Sequence, residues 1–330
     1  MRIRPGTQHC SWLSALMLLL FPTVSFAWID TGHEIIASIA YDELTPAARA
    51  AANALLKHHP RYEQDLLAGC PDGFDRDRYV FMKAATWPDM VKSQTHPMRF
   101  VANHPGWHYI DLPIAAAGYP APATQPAAAT QPDEPRNILE AMDKVVADIG
   151  NEKLPATDRA IALCWVLHLC GDLHQPLHTA TFYSAQYPDG DKGGNMAMVK
   201  RPPTQFSAHV SLHALWDEML GLYEDPEMIG YVAAGLRSNP QYSREKLARE
   251  LREQSFADWA RDTHALAITS CYLNGQLATA SESTNRVDRQ ANVPALPADY
   301  LENAEKVAAR QAVLAGYRTA DLVNRLFIPK

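Results

Sequence analysis

The 330-residue sequence has little cysteine, no excess of positive charge and, beyond its first 27 residues, no long apolar run. Five Cys are too few to make disulfides the main support of so long a chain, so the fold must rest on a hydrophobic core, which 47% hydrophobic residues can supply. With 37 acidic against 30 basic residues the net charge is −7. That balance excludes the usual basic nucleic-acid binder, whose affinity comes from matching phosphates with Lys and Arg. A polyanionic substrate would therefore need counter-charge from something other than side chains. After residue 27 no segment offers about 18 uninterrupted apolar residues, so no transmembrane helix and no stable membrane association are expected. An Asn-x-Ser/Thr acceptor is also missing. The 7 Trp argue against disorder.

The first 27 residues have the three-part layout of a secretory signal peptide: Arg2 and Arg4 without an acid, an apolar run over Leu13–Val24, and the ending Ser25-Phe26-Ala27. Cleavage after Ala27 would make Trp28 the new terminus and leave 28 basic and 37 acidic residues, a net charge of −9. A secreted or periplasmic location is expected, as for an exported bacterial protein, and a monomer. Four cysteines remain after cleavage: Cys70, Cys164, Cys170 and Cys271. In an oxidising compartment they can form two disulfides in any of three pairings. Cys164 and Cys170 are six apart on an expected helix and point to different sides, which disfavours a bond between them.

What the chain does contain reads mostly as helix. Ala, Leu, Glu and Arg dominate 33–58, 136–150, 157–172, 244–275 and 297–327, with apolar residues three and four apart. Thr157 is the expected N-cap of one such helix, after Pro155. Alternating strand patterns are scarce, with one short hairpin expected around Met196–Lys200 after Gly193-Gly194. The pattern predicts a single all-α domain over 28–330. Within it, residues 115–135 are Ala/Pro-rich, repeat Ala-Thr-Gln-Pro, and read as a flexible loop insertion.

The chemistry lies in pairs of His and Asp. His168 and Asp172 stand at i and i+4, and His213 and Asp217 repeat the spacing. Four residues apart on a helix is one face, so each pair can approach a single ion. Imidazole with carboxylate suits zinc. One such pair alone is usually a hydrogen bond on a helix face; two copies on apolar helices weigh against that. Trp107-His108-Tyr109-Ile110-Asp111 and Thr86-Trp87-Pro88-Asp89 add His and Asp beside aromatics. His174 and His178 flank Gln175-Pro176-Leu177, where Pro176 breaks a helix, so His174 is assigned a supporting or structural role. His33-Glu34-Ile35-Ile36-Ala37 lacks the second His of the zinc-protease motif. His58 and His59 lie on a polar stretch and are expected at the surface.

In order along the chain, Trp28-x4-His33, Trp87-x-Asp89, His108-Tyr109-x-Asp111, His168-x3-Asp172, Gln175-Pro176-Leu177-His178, Gly193-Gly194-Asn195 and His213-x2-Trp216-Asp217 resemble the zinc-dependent single-strand-specific nucleases typified by mung bean nuclease. Residues 313–324 are similar as well, so the resemblance spans essentially all of 28–330.

The resemblance implies a helical domain with three zinc ions. One zinc would take Asp89, His108, His168 and Asp172. A second would take His178, His213 and Asp217. The third would take His33, a bridging Asp172, and the amino nitrogen and carbonyl oxygen of Trp28. An α-amine with a pKa near ~7.7–8.0 can serve as a lone-pair donor at neutral pH, and only in the cleaved chain. The implied reaction is hydrolysis of single-stranded DNA and RNA to 5′-phosphorylated products, with 3′-nucleotidase activity left open. Asp89 would also orient the nucleophile. Lys92 would stabilise charge on the phosphate from a position where the family often has Arg. Tyr109 would stack a base, Asp111 would accept from base N–H groups, and Asn195 would close that pocket.

The chain departs from the family pattern at Ile29, where Gly is usual, at Asp262-Thr263, where Glu-Ser is usual, and in the insertion after Asp111. A zinc phospholipase C of related fold and a non-catalytic zinc-binding helical protein remain the alternatives. Three zincs would bring the cleaved chain from −9 to about −3, concentrating the missing positive charge in one pocket.

Overall fold

A computed structural model describes residues 28–120, 122, 134–201, 209–281 and 293–328. The expected signal peptide, 1–27, and most of the Ala/Pro insertion, 121 and 123–133, lie outside the described residues.

Helices begin where side chains can answer the unpaired backbone N–H groups of a first turn. Thr45 caps α2 (Pro46–Leu56), following α1 (Asp30–Glu43). Asp75 caps α3 (Arg76–Met90), which is followed by the single turn α4 (Arg99–Ala102). Asn137 caps α5 (Ile138–Gly150). The next helix, α6 (Ala156–Asp172), starts after Pro155 with no side-chain cap, so Thr157 is inside the first turn rather than before it. Ser211 caps α7 (Leu212–Asp217) and Asp225 caps α8 (Pro226–Ser238). The rest are the short α9 (Ala248–Arg252), α10 (Phe256–Leu266) and the long α11 (Tyr300–Leu326).

The expected helix over 33–58 is thus two helices broken at Leu44-Thr45, and 244–275 is likewise divided. Two helices were hidden from the sequence pattern. In α3, Tyr79–Met82 and Ala84–Asp89 are all buried, so no polar stripe marks a period. Pro88 sits in its last turn, so the one backbone bond its missing N–H forfeits lies near the helix end. The other, α8, carries only Pro226, Ile229 and Ala233 buried.

The fold is mostly helical with few short strands. β1 (Pro113–Ala115) runs parallel to β2 (Thr181–Tyr183). β3 (Ala197–Lys200) pairs antiparallel with β4 (His209–Ser211), as expected of a hairpin here, and also with β5 (Ala280–Ser281).

The centre of the molecule is α1, buried continuously from Thr31 to Tyr41 between α3, α6, α8 and α11. At Gly316 the two backbones of α1 and α11 meet closely: a Cβ there would stand 2.5 Å from Cγ2 of Ile39. A second apolar cluster under the small sheets contains Trp216, Phe182, Tyr272 and Tyr300.

The four cysteines of the described chain are all free, against the expectation of two disulfides. Cys164, Cys170 and Cys271 are fully buried core side chains, and burial pushes the Cys170 thiol up to about 12. Among the described residues no helix is long and apolar enough to cross a membrane.

Candidate metal centre

The C-terminal end of α6 carries the pivot of the site. Asp172 is fully buried, and its Oδ2 lies 3.0 Å from Nδ1 of His108 and 3.1 Å from Nε2 of His168. Its Oδ1 lies 3.3 Å from Nε2 of His33 and 3.9 Å from Nδ1 of His178. Four imidazoles from four separate segments thus surround one carboxylate. The i, i+4 relation predicted for His168 and Asp172 is what puts both on the inner face of α6.

Among the described residues, the donors fall into three buried groups: Asp89, His108 and His168; His33, His168 and Asp172; and His178, His213 and Asp217. Within each, the donor atoms lie within 4.8 Å of one another, close enough to share a metal ion. The last group has the same members as the combination implied by the resemblance, and the first has three of its four, without Asp172. In the middle one, His168 joins His33 and Asp172. Trp28 is beside them: its side chain is fully buried, its indole N–H donates to the carbonyl of Gly171 at 3.0 Å, and the N–H of Ile29 reaches the carbonyl of Asp217 at 3.4 Å.

Three of the rings are oriented by their own backbone surroundings. Nδ1–H donates to a carbonyl in His168 (Ala85, 2.8 Å), His178 (His108, 2.7 Å) and His213 (Gly193, 2.6 Å). A neutral imidazole that donates from Nδ1 keeps a lone pair on Nε2, the arrangement a metal requires. Burial holds the rings neutral: it pushes His33 down to about 4 and His108 and His213 down to about 3. His168 is the exception, raised because Asp172 and Asp89 together outweigh its burial.

Several of these atoms have no hydrogen-bond partner despite being buried: Nε2 of His178, Nε2 of His213, Oδ1 of Asp172, Oδ2 of Asp89 and both ring nitrogens of His33. Buried polar atoms are normally satisfied, so such a concentration of unpartnered atoms, most of them lone-pair acceptors, fits divalent cations. The donor set is nitrogen and oxygen without sulfur, within the range zinc accepts.

At the rim, Nζ of Lys92 lies 2.5 Å from Oδ1 of Asp89. Burial opposes ionisation of Asp89, but Lys92 with His168 and His108 holds its carboxyl well below the ordinary range. Arg99 donates to the carbonyl of Lys92 and so braces the segment that follows α3. Tyr109 is 41% exposed. Asp111 accepts from the hydroxyl of Thr181 at 2.5 Å, and burial raises its carboxyl. The amide of Asn195 is turned onto its own loop, donating to the carbonyl of Lys192 at 2.8 Å.

Three more histidines lie outside these groups. His174 is buried away from the cluster, donating from Nδ1 to Cys170 at 2.7 Å and accepting from Arg318 at 3.0 Å, a structural role. His58 is exposed as expected, but His59 is buried edge-on against Trp87 with ring centroids 4.6 Å apart. The polar neighbours of His59 concealed that contact, which is made across the helix packing.

A comparison with protein families matches residues 28–328 to the S1/P1 nuclease model. The chain belongs to the S1/P1 nuclease family. Endonuclease 4 of Arabidopsis thaliana is 24% identical over 319 residues, covering 93% of this chain and 91% of the plant protein. Endonuclease 2 of the same plant is 24% identical over 308 residues, covering 91% and 90%. The match runs through every segment that delivers a donor, from Trp28 to Asp217. The family is zinc-dependent in general, and its substrates are nucleic acids.

Proposed function

We propose that this S1/P1-family chain is a three-zinc endonuclease that hydrolyses phosphodiester bonds in single-stranded DNA and RNA and leaves 5′-phosphates. The observation that carries the reading is the set of three buried His/Asp groups around Asp172, whose bare acceptors meet no protein donor. Zinc there would be held by Asp89, His108, His168 and Asp172; by His178, His213 and Asp217; and by His33, Asp172 and the backbone of Trp28. Bound zinc supplies Lewis acidity toward a phosphoryl oxygen and acidifies water near neutral pH.

The protein's own groups do the rest. Asp89 orients the attacking water through Oδ2, the oxygen not engaged by Lys92. Lys92 places an ammonium where charge builds on the phosphate, as a point charge without the fork of Arg. Water adds to phosphorus as the bond to O3′ breaks, and the O3′ leaves as a hydroxyl. Tyr109 stacks a base, and Asp111 accepts from its N–H groups. Asn195 closes this pocket after its amide leaves the carbonyl of Lys192. Stacking on Tyr109 requires a free base face, which a duplex withholds at a cost of a few kcal/mol per extruded base. Single strands are preferred for that reason. The chain acts as a monomer, exported after cleavage behind Ala27, which frees the amine of Trp28.

The test offers single-stranded DNA, RNA, duplex DNA and phosphatidylcholine to one preparation of the protein beginning at Trp28. Cleavage of both single strands with phosphate on the 5′ side is the expected result. Activity on lipid alone would overturn the nuclease reading.

A further inference from the structure

One fully buried side chain between α6 and His178 has no part in the reaction described above. Gln175 donates from its amide nitrogen to Oδ1 of Asp217 at 2.6 Å, and its amide oxygen accepts from the N–H of Leu177 at 2.6 Å. The first bond crosses 42 residues of sequence to the last residue of α7. The second closes the 3₁₀ turn Pro176–Thr179 that delivers His178. One amide therefore holds the carboxylate of one donor and the turn of another.

The reach of Gln175 is itself fixed. On one side, His174 is tied to Cys170 and to Arg318, and its carbonyl accepts from Gln311 at 3.2 Å. On the other, Pro176 fixes the backbone entering the turn. The third donor of the group, His213, is oriented separately through Gly193. Oδ2 of Asp217 then faces Nε2 of His213 at 3.5 Å. A carboxylate with both oxygens free can rotate or chelate through both; one whose Oδ1 is already engaged presents a single oxygen.

We propose that Gln175 is the positioning residue of the His178–His213–Asp217 group, reserving Oδ2 of Asp217 for a divalent metal ion and setting the affinity of that one site. The inference rests on the zinc reading given above. Outer partners of metal ligands commonly change affinity by about 10- to 100-fold when removed. The side chain of Gln175 bonds none of Asp89, His108, His168, His33 or Asp172, and its backbone N–H, which reaches the carbonyl of Asp172 at 3.0 Å, is untouched by substitution, so the change falls on one ion rather than on all three.

The experiment titrates zinc into the metal-free protein against a chromophoric chelator, for the wild type, Gln175→Met and Gln175→Asn. Met keeps the length without a polar group; Asn keeps the amide one methylene short. Thermal unfolding of each metal-free protein is recorded alongside. The expected result is three zinc equivalents in the wild type and, in both variants, one equivalent weakened by roughly 10- to 100-fold with the other two unchanged. In a His213→Ala background, which removes a donor of the same site, Gln175→Met adds no further loss. Equal weakening of all three equivalents, or weakening that follows a lowered unfolding temperature of the metal-free protein, would assign Gln175 a purely structural role and overturn the proposal. So would unchanged affinity at every site. A wild type that binds no zinc would instead overturn the metal reading, an outcome visible before any variant is compared.

Discussion

A Cβ added to Gly171 would stand 2.7 Å from Nδ1 of His33 and 3.0 Å from its Cε1. Gly171 precedes Asp172, and its bare backbone lets the His33 ring lie 4.0 Å from the ring of His168, nearly parallel to it. Gly171→Ala forces that ring outward. Overpacking of this kind costs about 1–3 kcal/mol. The variant is expected to fold, to lose the zinc proposed for His33, and to lose most nuclease activity. Zinc content and activity measured on the same preparation check this; a variant with full zinc and full turnover contradicts it.

Lys92 is read through its charge. Lys92→Met is expected to lower kcat by about 10²-fold, the scale for removing one group that stabilises transition-state charge, with KM little changed. Lys92→Arg should retain most of the rate, because it keeps a positive charge at the position where Lys92 faces Asp89. Steady-state kinetics on a defined oligonucleotide separate the two. Equal losses in both variants would assign Lys92 to packing.

Tyr109 is read through its ring. Base stacking is worth about 1–3 kcal/mol by alanine substitution, so Tyr109→Ala should raise KM roughly 5- to 150-fold. Tyr109→Phe, which keeps the ring, should stay near the wild type. A loss confined to kcat in both variants would remove the stacking role.

His59, which belongs to none of the three His/Asp groups, supplies a pH test. Burial against Trp87 pushes its imidazole down to about 4. As pH falls below the unfolded value near ~6.5, the unfolded chain takes up a proton that the folded chain refuses. Stability is therefore lost between about pH 6.5 and 4, by about 1.4 kcal/mol per pH unit at most, and no further below that window. His59→Gln removes this penalty. Its deficit relative to the wild type should narrow as urea unfolding is moved from pH 7 to 4.5; a constant difference would mean that His59 titrates normally in the fold.

The parts of the site that lie on periodic helices were legible from spacing. His168 with Asp172 and His213 with Asp217 needed only the helix repeat. Asp89 and His108 were found by their order in a family resemblance, since α3 shows no periodicity when it is buried all round and His108 sits in a 3₁₀ turn. The convergence on Asp172 was given only by the family resemblance, not by local spacing, because it depends on how α1, α3 and α6 pack. His59 and the cysteines were misread for a similar reason: side chains with polar neighbours, or with a chemistry suited to pairing, were placed by tertiary packing instead. Gln175 stood in the motif from the start, but its bond to Asp217 crosses 42 residues and has no local signature.

The account stands on the metal content. Protein beginning at Trp28, purified and exchanged against metal-free buffer, should carry three zinc ions per chain by elemental analysis. Chelation should abolish cleavage of single-stranded DNA, and zinc should restore it. Two extra residues before Trp28 should lower the count to two by occupying the terminal amine. A chain that holds no zinc, or one that cleaves as well after chelation as before, would contradict the account.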